Sequence, residues 1–228
     1  VTEEGRELVA RYSEPAERDA ASQLAALLAE SPVALALTAA CLRESKEDPR
    51  EYLRAWLNLE EQTLRGGGFR PDYQVFLSAT LSLRRLSAEG EPSVFLLLLL
   101  SFFAAEDIPR AVLDAWTLPP DAPRIDILTD PAVIRSSLET LRRHRLLVLR
   151  EDSLAFPHPL VQTAAQRQVA RHEREKITSL LVYRMLELFE FEPRDESQWP
   201  RLAALIPHIS AVLDHHKELD GHSEGEAS

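Results

Sequence analysis

Leu146-Leu147-Val148-Leu149-Arg150-Glu151-Asp152-Ser153-Leu154-Ala155-Phe156-Pro157-His158-Pro159-Leu160-Val161-Gln162 carries the strongest structural signal in the chain. Two apolar runs, Leu147 to Leu149 and Leu154 to Phe156, flank Arg150-Glu151-Asp152-Ser153, a polar segment with the composition of a hairpin turn. Pro159 suits the first position of a helix, where an N–H would have no intrahelical partner anyway. His158 then falls at the N-cap, beside free backbone donors and the positive end of a helix dipole. Such a place favours an anion, and a phosphate in particular. A helix over roughly 131–146 precedes the hairpin, so the unit reads as helix–hairpin–helix, of winged-helix type.

Working outward, helix starts are legible because proline follows a capping side chain at Ser31-Pro32, Asp48-Pro49 and Asp130-Pro131. Glu51 adds the third-position acid of a capping box after Asp48. The pattern predicts helices near 15–30, 31–45, 49–64, 71–88 and 92–105, then shorter ones near 107–117 and 131–146. Gly66-Gly67-Gly68 separates the third from the fourth as a flexible loop, and Leu118 to Pro123 is a proline-rich connection. Helices near 159–172, 174–191 and 197–219 close the chain. The predicted fold is mainly α: a helical bundle, a winged-helix domain with a small β-hairpin, then further C-terminal helices. The expected boundaries are a helical domain over 1–90, a winged helix over 91–172, a helical segment over 173–219 and a disordered polar tail over 220–228.

Composition narrows the function. A formal charge of −11 disfavours general binding to nucleic acid or to an anionic membrane. A single cysteine, Cys41, excludes an intramolecular disulfide framework and suits a reducing, cytoplasmic setting. The longest apolar run, Val94 to Ala105 broken by Ser101, is too short to span a bilayer and reads as a buried core helix. No secretory signal is visible, and valine at position 1 is compatible with a fragment of a longer protein. No Gly-x-x-x-x-Gly-Lys-Ser/Thr occurs, so the chain has no P-loop phosphate cradle of its own. No His/Cys set has zinc spacing, and no Ser-His-Asp arrangement or carboxylate pair stands out from the charged helix faces. The chain is not expected to be an enzyme by itself.

Phe156-Pro157-His158-Pro159-Leu160-Val161-Gln162 resembles the strand-end histidine motif (the "MHD" position) of STAND nucleotide-switch NTPases, in the His-x-Leu-Val-Gln form of members with repeats downstream. Leu27-Leu28-Ala29-Glu30-Ser31-Pro32-Val33-Ala34-Leu35-Ala36-Leu37 resembles their Gly-Leu-Pro-Leu-Ala segment. Val75 to Leu83 resembles the stretch leading to their winged helix, and Leu98 to Pro109 resembles its first helix and Ile-Pro turn. The order of parts is similar to that of the segments downstream of the P-loop domain in an NB-ARC module, over roughly 20–215. Two departures stand out: Pro159 replaces the motif's acidic residue, and Glu30-Ser31 replaces the small apolar approach to Pro32.

The resemblance implies that His158 reaches the β-phosphate of ADP and that Pro32 packs on the adenine. It implies ADP or ATP with magnesium as cofactor of the full-length protein, and none for this chain alone. The implied partners are a P-loop domain of the same polypeptide and downstream repeats or an effector. Without it, His158 is a locally bonded capping histidine and Pro32 only starts its helix. Leu205-Ile206-Pro207-His208 resembles the Leu-Pro-His that precedes the repeats, with a structural histidine.

Two readings from other classes stay open. One is a DNA-binding winged helix, in which Arg142, Arg143 and Arg145, with Arg135 and His144, lie on or just after the third helix. Residues 131–176 hold nine basic and five acidic side chains, whereas 187–228 holds three basic and ten acidic. The wider acidic field opposes the several phosphate contacts that DNA needs. The other is a free-standing helical adaptor, whose helices over 174–191 and 197–219 pack together or offer a face to a repeat or partner. His215, His216 and His222 are candidates only for adventitious metal, and Trp56, Trp116 and Trp199 are expected in packing.

Overall fold

The computed structural model describes residues 3–65, 72–88, 92–114, 129–189 and 196–223, the side chains of 219–223 excepted. It is mainly helical with one small sheet. In chain order the helices are α1 (Glu3–Ala10), α2 (Pro15–Leu27), α3 (Pro32–Ser45), α4 (Pro49–Arg65), α5 (Tyr73–Ala88) and α6 (Pro92–Leu100). Strand β1 (Ile108–Pro109) and a 3-10 turn (Arg110–Leu113) come next. Then follow α7 (Pro131–Arg143), β2 (Val148–Leu149), β3 (Ser153–Ala155), α8 (Pro159–Gln168), α9 (Arg171–Leu188), a second 3-10 turn (Glu196–Gln198) and α10 (Trp199–Ser223).

The capping side chains act as expected. Ser31 accepts the Ala34 amide at 3.4 Å, Asp48 the Arg50 amide at 2.8 Å and Asp130 the Ala132 amide at 2.8 Å. Each satisfies one of the amides that a helix start leaves without a partner. Helix α3 stops at Lys46, whose φ of 53° is a left-handed conformation that cannot continue the helix. Helix α1 lies outside the helices predicted from the sequence; Leu8 is fully buried and ties it to the core.

Helix α5 is the axis of the bundle. Its residues from Leu77 to Leu83 are all buried, as befits a helix covered on more than one side. It packs against α3 and α8. It runs parallel to α3, because three contacts along its length meet matching points on that side. The Gln74 side chain donates to the Leu27 carbonyl at 2.8 Å just before α3 begins. Thr38 Oγ1 donates to Ser78 Oγ at 3.1 Å midway. Arg85 Nε donates to Glu47 at 2.8 Å just past the end of α3. Burial of Thr38, Ser78 and Tyr52 together is tolerable because their hydroxyls bond one another.

The apolar run from Val94 does not stay helical to Ala105. Helix α6 ends at Leu100, where the Ser101 hydroxyl turns back onto the Leu98 carbonyl at 2.6 Å. The Ser101 and Phe103 carbonyls then accept the Gln162 amide of α8, at 2.9 and 2.6 Å, in place of a further helical turn. Nor is there an α-helix near 107–117 in its described part. Ile108 and Pro109 are instead an edge strand, paired antiparallel with β3 through Ile108↔Leu154. Pro109 donates no hydrogen bond, which an edge position permits. The expected hairpin is thus a three-stranded sheet of order β1-β3-β2, with Leu149↔Leu154 on its other side.

The remaining boundaries shift by a few residues. Helix α7 ends at Arg143, short of the expected 146, and α8 at Gln168, short of 172. Helix α10 continues to Ser223, into the stretch expected as a polar tail. The Gly66 to Gly68 loop, the Leu118 to Pro123 connection and Trp116 lie outside the described residues. Trp56 is fully buried, but Trp199 is 53% exposed, so the expectation that it packs fails. Among the described residues no helix is long and apolar enough to cross a membrane.

Candidate functional site

His158 sits where the sequence puts it, at the N-cap of α8 in extended backbone (φ −163°, ψ 145°). Strand β3 delivers it, and the Phe156 amide fixes the approach by donating to the Ala105 carbonyl at 2.9 Å. The local chemistry differs in one respect from the expectation of free backbone donors around it. The Leu160 amide donates to Nδ1 of His158 itself at 3.1 Å. An Nδ1 that accepts carries no proton, so the ring is the neutral tautomer with its proton on Nε2. Nε2 lies 4.0 Å from Asp72 Oδ2, on a side chain 27% exposed.

Asp72 is a residue that sequence reasoning missed. It stands immediately before α5 with φ 62°, and its carbonyl accepts the Val75 amide at 2.8 Å. Its carboxylate is 60% exposed. Nothing in the local sequence signals its place beside His158, since the two are joined only by the packing of α5 on α8. A cation also lies on this helix pair: the Arg167 guanidinium covers the Phe76 ring, 5.0 Å from its centre.

Pro32 is the exposed first residue of α3. The bond from Gln74 to the Leu27 carbonyl brings the start of α5 against the segment that leads into Pro32. The same end of α5 holds Asp72 beside His158. The two candidates are therefore brought to one end of α5 from its two neighbours, α3 and α8. The polar chemistry at this end of α5 is the imidazole of His158 and the carboxylate of Asp72, with the exposed ring of Pro32 at the start of α3. Among the described residues no cluster of three or more His, Cys, Asp or Glu could hold a metal ion.

The arginines of the DNA reading are placed differently. Arg142 pairs with Glu139 on its own helix at 2.6 Å. Arg143 lies 3.4 Å from Glu44 beyond the middle of α3, and Arg43 donates to the Arg143 carbonyl at 2.7 Å. The end of α7 is thus turned toward α3. Arg145 takes a left-handed backbone, φ 55°, directly after the helix.

Two glutamines on α8 were also missed as structural residues, although their spacing on one helix face was visible. Gln162 and Gln166 both donate to the Ser101 carbonyl, and Gln166 also meets His215 of α10 at 3.3 Å. His208 takes a structural place as expected. It is 1% exposed, bonds the Asp107 carbonyl through Nε2 at 3.1 Å, and has its protonation opposed mainly by burial. No protein-family model matches this sequence, and no curated protein is similar to it.

Proposed function

We propose that this chain is the regulatory helical and winged-helix portion of a STAND-type, NB-ARC-class nucleotide switch. It closes over ADP or ATP held mainly by a P-loop domain of the same polypeptide and relays that state to downstream repeats or an effector. The observation that carries the reading is the hydrogen bond from the Leu160 amide to Nδ1 of His158 at 3.1 Å. With Nδ1 occupied by the Leu160 amide, the ring can only donate through Nε2, as recognition of a phosphate oxygen requires. Pro32, exposed at the same end of α5, offers its ring to the base.

Bound nucleotide supplies the phosphate oxygens and the purine face. The chain supplies a donor at His158 and an apolar surface at Pro32, on two elements that must stay together for both contacts to form. A ligand gathered from several elements stabilises only the conformation that assembles them. In this reading the chain's part is to hold the closed state.

The DNA-binding alternative is weaker, because Arg142 and Arg143 face acidic partners of the chain itself. Sequencing the reading frame upstream of Val1 tests the proposal. A strand-associated P-loop lysine motif within about one domain length is the expected result. A start codon at or just before Val1 would remove the nucleotide domain and the proposal with it.

A further inference from the structure

Helix α10 is held by a seam with an ionisable group in its middle. Among its described side chains Leu202, Leu205, His208 and Val212 are buried, three or four positions apart and so on one face. Such a stripe is ordinarily apolar throughout, yet His208 is only 1% exposed. Its Nε2 bonds the Asp107 carbonyl at 3.1 Å, and because a carbonyl only accepts, the ring proton sits on Nε2. Nδ1 is buried and, among the described residues, has no hydrogen-bond partner.

The surroundings offer nothing to receive a second proton's N–H. One turn away on the same helix stand Ala204, Leu205, Ala211 and Val212, which carry no charge. The Phe103 ring meets His208 edge-on at 6.0 Å. Nearby charge comes from Asp107, whose carboxylate is paired with Arg150. From α9, Arg184 reaches the same segment but donates to the carbonyls of Ala111, Val112 and Asp114. The other titratable groups of this interface, His215 and His216, face Gln166 of α8 and Thr178 of α9, each at 3.3 Å, and His215 also faces Glu218 of its own helix at 3.7 Å. The helix itself is weakly built. Pro207 stands inside it directly before His208 and has no N–H to bond the turn behind. Trp199, Ile206 and Leu213 are exposed. An element with few buried contacts opens separately from the rest of a fold.

We propose that α10 is a proton-released helix, docked on β1 and α9 while His208 is neutral and detached when Nδ1 takes up a proton. Detached, the ring is in water and titrates near its ordinary value of about 6.5. Docked, burial holds that value lower, although the bond to Asp107 and its charge act the other way. The detached state therefore binds more protons, and mild acid shifts the population toward it. Release uncovers the Phe103 ring and that of Phe102, which His215 meets edge-on at 5.4 Å. No nucleotide is needed for this release.

Hydrogen exchange of the 228-residue chain, followed by mass spectrometry from about pH 7.5 to 5.5 and corrected for intrinsic exchange rates, tests this. The opening constant of amides in 202–214 is expected to rise toward about tenfold per pH unit below about pH 6.5, the limit for one proton, while that of α5 stays level. His208→Gln keeps a donor for the Asp107 carbonyl but cannot titrate, so in it the rise should vanish. No rise in the parent, an equal rise in α5, or an equal rise in His208→Gln would each overturn the proposal. The parent also answers alone if the variant does not fold. In an NMR titration its His208 ring must take up a proton over the same pH range in which α10 opens, and titration without opening would overturn the proposal as well.

Discussion

His158 and Asp72 face each other across the start of α5, with Nε2 4.0 Å from the carboxylate while the Leu160 amide holds Nδ1. A phosphate approaching Nε2 therefore meets the charge of Asp72. In the polypeptide that carries the P-loop domain, Asp72→Asn is expected to tighten ADP binding by roughly twofold to fivefold, the range of a solvent-screened charge pair. Titration calorimetry of the two proteins checks this. Unchanged or weaker binding would mean that no phosphate comes near His158.

Capping and sensing by His158 can be separated. His158→Ala removes the side-chain acceptor of the Leu160 amide and should cost about 1 kcal/mol. His158→Asn restores a good cap but not the reach of an imidazole, so its stability should stay within about 0.5 kcal/mol of the parent. Both variants should release ADP faster and raise basal activity or oligomerisation of the full protein. Nucleotide retention equal to the parent in both would leave His158 as a cap and nothing more.

Acid should weaken the attachment of α10. Burial depresses the pKa of His208 below its ordinary value, although the bond to Asp107 and its charge act the other way. As pH falls, the unfolded chain takes up this proton before the folded one does. The contribution of a neutral His208 is therefore complete above about pH 6.5 and is lost progressively as pH falls below that value toward the lower folded pKa. His208→Gln keeps a donor for the Asp107 carbonyl and should flatten the slope of stability between about pH 7 and 5. Denaturant melts at several pH values measure it, and an unaltered slope would exclude His208 as the source.

Arg184 holds α9 by spreading its donors over the carbonyls of 111, 112 and 114 and pairing with Glu187 at 3.1 Å. Its side chain is only 6% exposed. Arg184→Ala should destabilise the chain by about 3 kcal/mol or more, because buried carbonyls and a carboxylate lose their partner. Chemical denaturation checks this. A loss below about 1 kcal/mol would show that water replaces the guanidinium easily.

If the acidic partners of Arg142 and Arg143 describe their role, Arg142→Ala with Arg143→Ala should leave any residual affinity for duplex DNA unchanged in a gel shift. A clear loss of binding, with a shallower salt dependence, would instead revive the DNA reading.

Helix starts are encoded locally in this chain. Ser31, Asp48, Asp130 and His158 each precede a proline, and cap and proline act through bonds only two or three residues long. For the same reason the hairpin and the N-cap position of His158 are legible without any knowledge of packing. Pairing across the chain is a tertiary matter. Ile108 and Pro109 are a strand only because Leu154 is opposite, and α6 ends at Leu100 where glutamines of α8 take the carbonyls beyond it. Asp72 reaches His158, and Arg143 reaches Glu44, only because α5 lies on α8 and the end of α7 lies against α3. Contacts between residues tens of positions apart depend on how helices are laid together, and no local pattern of residues encodes that.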